Sequence, residues 1–348
     1  MKFVIDRHIP FIKGVLEPFG TVVYSSPDRI TPELVRDADA LLVRTRTRID
    51  KDLLEDSKCG FVATATIGMD HFDQQWCIRN GINIVNAPGC NAPAVAQYVL
   101  SAICTLWSRP LNETTIGIIG VGNVGSIVSR WCKALGMNVM AVDPFRQQKE
   151  TDAPWFSLAE TAEKADIITF HTPLTQEGDH PTYHLVDSAF FDRLGSNPLI
   201  INSSRGAVID NKAWLNAIEQ GKLSGSVVDV WENEPFISTR LLELADIATP
   251  HIAGYSLDGK IRATQMVLDA LSGHFRLPSL RADARKACSI PETVTTDNIR
   301  ASYDIFRDDR LMRREMDSCK TPDEIASTFE QLRDTYSLRN EIDKNLTL

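Results

Sequence analysis

The run Ile116-Gly-Ile-Ile119 passes without a break into Gly120-Val-Gly122-Asn123-Val124-Gly125 and then into Ser126-Ile-Val-Ser-Arg-Trp-Cys-Lys-Ala-Leu135, and no other stretch limits the possible folds as much. An apolar strand, a glycine turn and a helix in that order open a doubly wound α/β lobe that seats a dinucleotide. Gly120 permits the tight turn, Gly122 lets backbone approach a pyrophosphate, and Gly125 lets the helix pack close to the strand. The unpaired N–H groups and dipole of the helix start then favour an anion. A glycine pattern alone is a weak signal, but here the next strand, Asn138 to Val142, closes on Asp143. A carboxylate at that point accepts both ribose hydroxyls and repels a 2′-phosphate, so NAD is expected over NADP, with Arg146 near enough to soften the preference.

The same alternation of strands and helices runs along most of the 348 residues, enough chain for two or three domains. Before the glycine loop, strands are expected at Lys2–Ile5, Thr21–Tyr24, Ala40–Val43 and Phe61–Ala65, and helices at Pro32–Arg36, Lys51–Glu55 (capped by Asp50) and His71–Asn80. Ala92–Trp107 reads as a helix buried on most sides. After the loop, further strands are expected at Ile167–Phe170, Leu199–Asn202, Ser226–Val230 and Asp246–Ala248, which with Ile116–Ile119 and Asn138–Val142 match the strand count of a dinucleotide fold. A helix is expected over Ser256–Phe275. Residues 281–348 change character, with charge clusters such as Arg307-Asp-Asp-Arg310, and read as a small appended domain.

Lys and Arg total 37 against 46 Asp and Glu, a net charge of −9, which sets the chain against a phosphate backbone and leaves no nucleic acid among the expected partners. A small anion can still be held by local arginines. No run approaches the roughly 20 apolar residues of a membrane helix, so no membrane partner is expected. The opening Met-Lys-Phe-Val-Ile-Asp-Arg-His reads as a strand rather than a secretory signal, and a cytoplasmic location is expected. The seven cysteines stand singly, without a Cys-x-x-Cys pair, which argues for reduced core thiols and against a disulfide framework or a metal site.

Three charged residues follow the ends of later strands: Arg205 in Ser203-Ser204-Arg205-Gly206, Glu234 in Asp229-Val-Trp-Glu-Asn-Glu234-Pro235, and His251 in Thr249-Pro250-His251. Ligands of open α/β sheets bind outside the carboxyl ends of the strands, so the three would face the dinucleotide's crevice. Arg205 can clamp a carboxylate with its planar fork, His251 can take a hydroxyl proton as hydride leaves, and Glu234 can hold the other ring nitrogen. Each residue singly has a plainer reading: a structural histidine, a loop acid, a surface ion pair. Their joint placement after a dinucleotide loop points to hydride transfer.

These residues, with His171-Thr172-Pro173-Leu174 and Asn202-Ser-Ser-Arg-Gly206, resemble the D-isomer-specific 2-hydroxyacid dehydrogenases over about residues 1 to 280. The resemblance implies two doubly wound parallel-sheet lobes, a Rossmann NAD-binding lobe (91–253) inserted in a flavodoxin-like substrate lobe (1–90 and 254–280), with a cleft between them and hinges near residues 90 and 254. A small α+β C-terminal domain over 281–348 is implied as well. Tyr303–Asp309 and Phe329–Arg333 resemble parts of a dimerisation domain, so a homodimer is expected, although the tail is short. Arg205, Glu234 and His251 are implied to be catalytic. NAD is placed against Gly120, Gly122, Asn123, Val124, Gly125, Asp143, Thr172, Asp229 and Gly254. Val43-Arg44-Thr45, Ala63-Thr-Ala-Thr66 and His251-Ile-Ala-Gly-Tyr255 resemble members that oxidise a small anionic phosphorylated hydroxy acid, with Thr45, Thr66 and Tyr255 against substrate. Arg44, Arg46 and Arg48 would place cations on one face of an extended segment, where Arg44 is the candidate for the phosphate. Another 2-hydroxy acid, or an NAD-sensing protein without turnover, stands as the alternative.

Overall fold

The computed structural model describes residues 1–150 and 152–343, which form two compact units: Met1–Asn91 with Ser256–Cys288, and Ala92–Tyr255 with the chain from Ser289 onward. The first unit holds a five-stranded parallel sheet of β1 (Lys2–Asp6), β2 (Thr21–Ser25), β3 (Ala40–Val43), β4 (Phe61–Thr64) and β5 (Asn83–Val85), in the order β2-β1-β3-β4-β5. That is the flavodoxin-like order. Alternate residues serve opposite faces: Phe3, Ile5, Leu42 and Phe61 pack against Val267, Leu268 and Leu271 of the helix Leu257–Phe275, while Val4, Leu41, Val43 and Val62 pack against Leu53, Leu54 and Cys77. With both faces covered, the strands read as continuous apolar runs. Asp50 caps its helix by accepting from the Leu53 amide at 3.2 Å. β5 escapes the sequence pattern because it is a three-residue edge strand whose Asn83 is exposed.

The second unit holds β6 (Thr115–Ile119), β7 (Asn138–Val142), β8 (Ile167–Phe170), β9 (Leu199–Asn202), β10 (Gly225–Val228) and β11 (Ile247–Ala248), all parallel, in the order β11-β10-β9-β8-β6-β7. Strand order reverses between β6 and β8, and such a switch point is where an open α/β sheet receives its ligand. The count of six agrees with a dinucleotide lobe for a different reason than the sequence suggests. The strand that should lie outside β7 is reduced to one bridge, Ala141 to Trp155, and β11 is an addition on the far edge.

The described part of 281–343 is shared between the two units. Residues 281–288 belong to the first unit; beyond them come helices Thr296–Ser302, Ile305–Asp317 and Pro322–Asp334, with no named strand among the described residues, and 344–348 lie outside the described residues. The described elements of this stretch are helices, and they pack into the second unit. Ile299, Tyr303 and Ile305 join the core under the helix Ala92–Leu106, and Met312, Met316, Phe329 and Leu332 join the core on the other face of the sheet. In the cluster Arg307-Asp-Asp-Arg310 the two arginines face outward and the two acids are buried. One buried acid among them closes the sheet edge: Asp309 accepts the Ala248 amide of β11 at 2.8 Å, a donor that an edge strand would otherwise expose. No helix among the described residues is long and apolar enough to cross a membrane.

Candidate active site

The glycine loop is built from the end of β6. Gly120 has φ 87°, a region costly for residues with a side chain, and a Cβ there would lie 2.8 Å from the His171 carbonyl oxygen. Gly125 stands against the Gly120 carbonyl, so the helix Asn123–Ala134 starts directly on the turn. Gly122 faces open space, and Gly122 and Asn123 are exposed at the helix start while Val124 is half-buried. Asp143, just past β7, accepts from the amides of Val121 at 2.9 Å and Arg146 at 3.0 Å. Its carboxylate is thereby tied to the loop. Two buried atoms beside the turn, Thr172 Oγ1 and His171 Nδ1, have no hydrogen-bond partner. A glycine cradle with orphaned polar atoms next to it fits a dinucleotide, because buried polar groups otherwise cost free energy.

Arg205 follows β9 in a turn made by Asn202, whose side chain donates to the Arg205 carbonyl at 3.0 Å and accepts from Ser204 Oγ at 2.9 Å. The next residue must be glycine, since a Cβ on Gly206 would lie 2.0 Å from the Trp231 carbonyl. That contact brings the Arg205 turn onto the segment carrying Glu234. Glu234 accepts from the Trp231 amide and from His251 Nδ1, both at 2.8 Å. The second bond orients the ring and leaves Nε2 as the outward nitrogen. Burial works to raise the Glu234 carboxyl, but the facing His251, the hydrogen bonds from His251 and Trp231, and the Arg333 charge outweigh it and hold the group below the usual carboxylate range.

His251 sits at φ 57°, a strained setting for a residue with a side chain. Its neighbours hold it there. The His251 amide donates to the Asp229 carbonyl at 2.7 Å, and the Asp229 carboxylate takes Thr249 Oγ1 at 2.7 Å, the Ile252 amide at 2.8 Å and the Ala253 amide at 3.0 Å. Asp229, expected against NAD, is thus 1% exposed and turned into the His251 loop, and burial raises its carboxyl above the ordinary value. Gly254 and Tyr255 continue that loop, half-buried.

In the first unit, Arg44 is held by Asp6 at 3.1 Å. The extended segment expected over 44–48 is a turn, because β3 ends at Val43, and its arginines do not share a face by strand alternation. Arg48 is an exposed partner of Asp50. Thr45 lines a pocket of about 490 Å³ with Arg46, Arg48, Asp70, His71, Phe72 and Asp73, and Thr66 Oγ1 lies 2.6 Å from Thr64 Oγ1.

Residues 101–253 match the model of the D-isomer specific 2-hydroxyacid dehydrogenase NAD binding domain. The chain is 51% identical over 281 residues to an erythronate-4-phosphate dehydrogenase of Bacteroides fragilis, covering 80% of this chain and 81% of the relative. The chain belongs to the D-isomer-specific 2-hydroxyacid dehydrogenases. An erythronate-4-phosphate dehydrogenase of Marinobacter nauticus is 40% identical over 334 residues, 91% of this chain and 87% of the relative. Among solved structures, the D-lactate dehydrogenase of Aquifex aeolicus complexed with NAD and lactic acid matches at TM-score 0.68 and 25% identity, over 79% of this chain and 96% of that one. As a 2-hydroxyacid dehydrogenase the chain is an NAD-dependent enzyme, and the glycine cradle lies inside its NAD-binding domain.

Sequence reasoning passed over three groups in this dehydrogenase. Ser203, read only as a small residue before the arginine, has a buried Oγ without a partner. Arg333 and Arg339 of the C-terminal segment reach Tyr255 and the carbonyls after His251. Only Arg333 carried a sequence signal, through its place in Phe329–Arg333.

Proposed function

We propose that the protein oxidises 4-phospho-D-erythronate to (R)-3-hydroxy-2-oxo-4-phosphooxybutanoate, the activity for which relatives at 40 to 51% identity are named. The 2.8 Å pairing of His251 Nδ1 with Glu234, at the strand ends of an NAD-binding domain, carries the reading. In it, Arg205 binds the substrate carboxylate through paired N–H donors and sets C2 in place. Glu234 holds the His251 ring so that Nε2 takes the proton of the C2 hydroxyl. NAD would be held by Gly120, Gly122, Asn123, Val124, Gly125, Asp143, Thr172 and Gly254 and would supply the hydride acceptor for C2, while Asp229, its carboxylate turned into the His251 loop, would keep that loop in place. The C2–H and O–H bonds break, the carbonyl forms, and the proton leaves through His251. Thr45, Thr66 and Tyr255 offer hydroxyls to the polyol chain, and Arg44 offers a cation to the phosphate. The enzyme works as a cytoplasmic homodimer.

The test follows NADH absorbance with 4-phosphoerythronate for the native protein and for His251→Ala. A loss of about 10² to 10⁴ in kcat is expected of the variant. Equal traces would remove His251 from catalysis, and native turnover only with another 2-hydroxy acid would replace the substrate.

A further inference from the structure

The loop that carries His251 has its amides bound by Asp229; its carbonyls are bound from the C-terminal segment. Arg339 is 7% exposed. Its Nη1 donates to the carbonyls of Ile252 and Tyr255, both at 3.1 Å, and its Nη2 donates to the carbonyls of Ala94, at 3.1 Å, and Ala253. Its Nε reaches Gln97 Oε1 at 3.3 Å, and its carbon Cζ lies 4.3 Å from the centre of the Tyr303 ring. Asp308, buried behind, accepts from the hydroxyls of Tyr303 at 2.7 Å and Tyr336 at 2.8 Å, and Tyr336 in turn takes an Nη1 bond at 3.1 Å. A guanidinium has five N–H donors in a rigid fork and no acceptor, so this set of carbonyls fixes it in one orientation and is fixed by it. Six residues earlier, on the helix Pro322–Asp334, Arg333 is hydrogen-bonded to the side chain of Tyr255, feels the charge of Glu234, and donates to Glu330 at 2.9 Å.

We propose that the C-terminal segment is a positioning element of the reaction centre. Arg339 fastens the backbone from Ile252 to Tyr255, and with it the strained setting of His251. Arg333 sets the Tyr255 hydroxyl through its hydrogen bond and places a positive charge facing Glu234. The guanidinium of Arg339 and the carboxylate of Asp229 grip the loop through its two kinds of backbone group, so neither the histidine nor the tyrosine behind it depends on substrate to be in place. This assignment rests on the catalytic reading of His251 and Glu234.

Full-length Arg333→Met, Arg333→Lys and Arg339→Lys are compared with the native protein in steady-state kinetics with 4-phosphoerythronate, in NADH binding by fluorescence, and in thermal melting. Loss of a charge-assisted bond converts to a fall of about 10- to 100-fold in kcat for Arg333→Met, with NADH affinity within about twofold of native. Arg333→Lys should recover part of that loss, because a cation is restored without the fork. Arg339→Lys should lower both kcat and the melting temperature while still binding NADH. Native kcat in Arg333→Met would overturn the proposal, as would losses of kcat that track loss of NADH binding, since those mark a purely structural role. If the native protein itself fails to turn over, the catalytic reading falls; if it turns over, His251→Ala does not, and Arg333→Met matches native, only the positioning assignment falls.

Discussion

Each unit buries one aspartate at the carboxyl end of a strand, and the two do opposite work. Asp6, the last residue of β1, is fully buried and accepts from Arg44 Nε, the His8 amide and His8 Nδ1. Besides one neighbouring amide it fixes two side chains, one of them a cation that balances its charge. Asp229, just past β10, accepts from one hydroxyl and the amides of Ile252 and Ala253, and so fixes a backbone. Burial raises the Asp229 carboxyl, and the facing His251, the Thr249 hydroxyl and the amides of Ile252 and Ala253 offset only part of that rise. A side chain held by an acid can be replaced with local consequences, whereas a backbone loop held by one takes its whole cargo with it. The unit whose acid grips backbone is the one that carries His251.

Replacing each acid by alanine tests the contrast most severely. Asp229→Ala leaves buried amides and a hydroxyl without an acceptor and should cost about 3 to 5 kcal/mol in urea unfolding, together with most of the activity. Asp6→Ala should cost about 1 kcal/mol, since Arg44 and His8 reach water, and should spare kcat. Equal losses would erase the distinction. The arginines give the next effect. Arg205→Met should raise the KM for the hydroxy acid or lower kcat/KM by about one to two decades, while Arg48→Met, at an exposed pair with Asp50, should leave both within about twofold.

The most gradual effect is pH-dependent. Burial lowers His171 from the ordinary 6.5 to about 3 and His71, in the first unit, to about 4. The unfolded chain then binds more protons than the native one between those values and 6.5, so stability is full above 6.5 and falls as pH drops through the window. For His171 the slope is at most about 1.4 kcal/mol per pH unit. His171→Asn should flatten the urea midpoint against pH more than His71→Asn does, because His71 is the less enclosed ring.

The parts readable from sequence are those whose physics is local. β3, β7, β8 and β9 fall where apolar runs predict them, because covered parallel strands need apolar residues on both faces. The glycine loop with Asp143, and the order Arg205, Glu234, His251, follow from spacing along one unit. Misreadings arise where a neighbour decides. The arginines at 44–48 fit an extended pattern, yet the strand ends at Val43 and Asp6, 38 residues away, takes Arg44. In the helices after residue 295, Asp308 and Asp309 read as part of an exposed charge cluster, yet both are buried, and the apolar faces of these helices join the second unit's cores.

By itself, then, the sequence determined the alternation of strands and helices, the dinucleotide turn and the side chains proposed to react, since period, glycine placement and chemical type are written in short windows. Only the tertiary structure decided that Asp229 grips amides rather than lying open, that β11 is closed by Asp309, and that Arg339 ties Ile252 and Ala94 across 87 and 245 positions of chain. A buried charge goes wherever packing leaves unpaired groups of the opposite kind, and that depends on the whole fold.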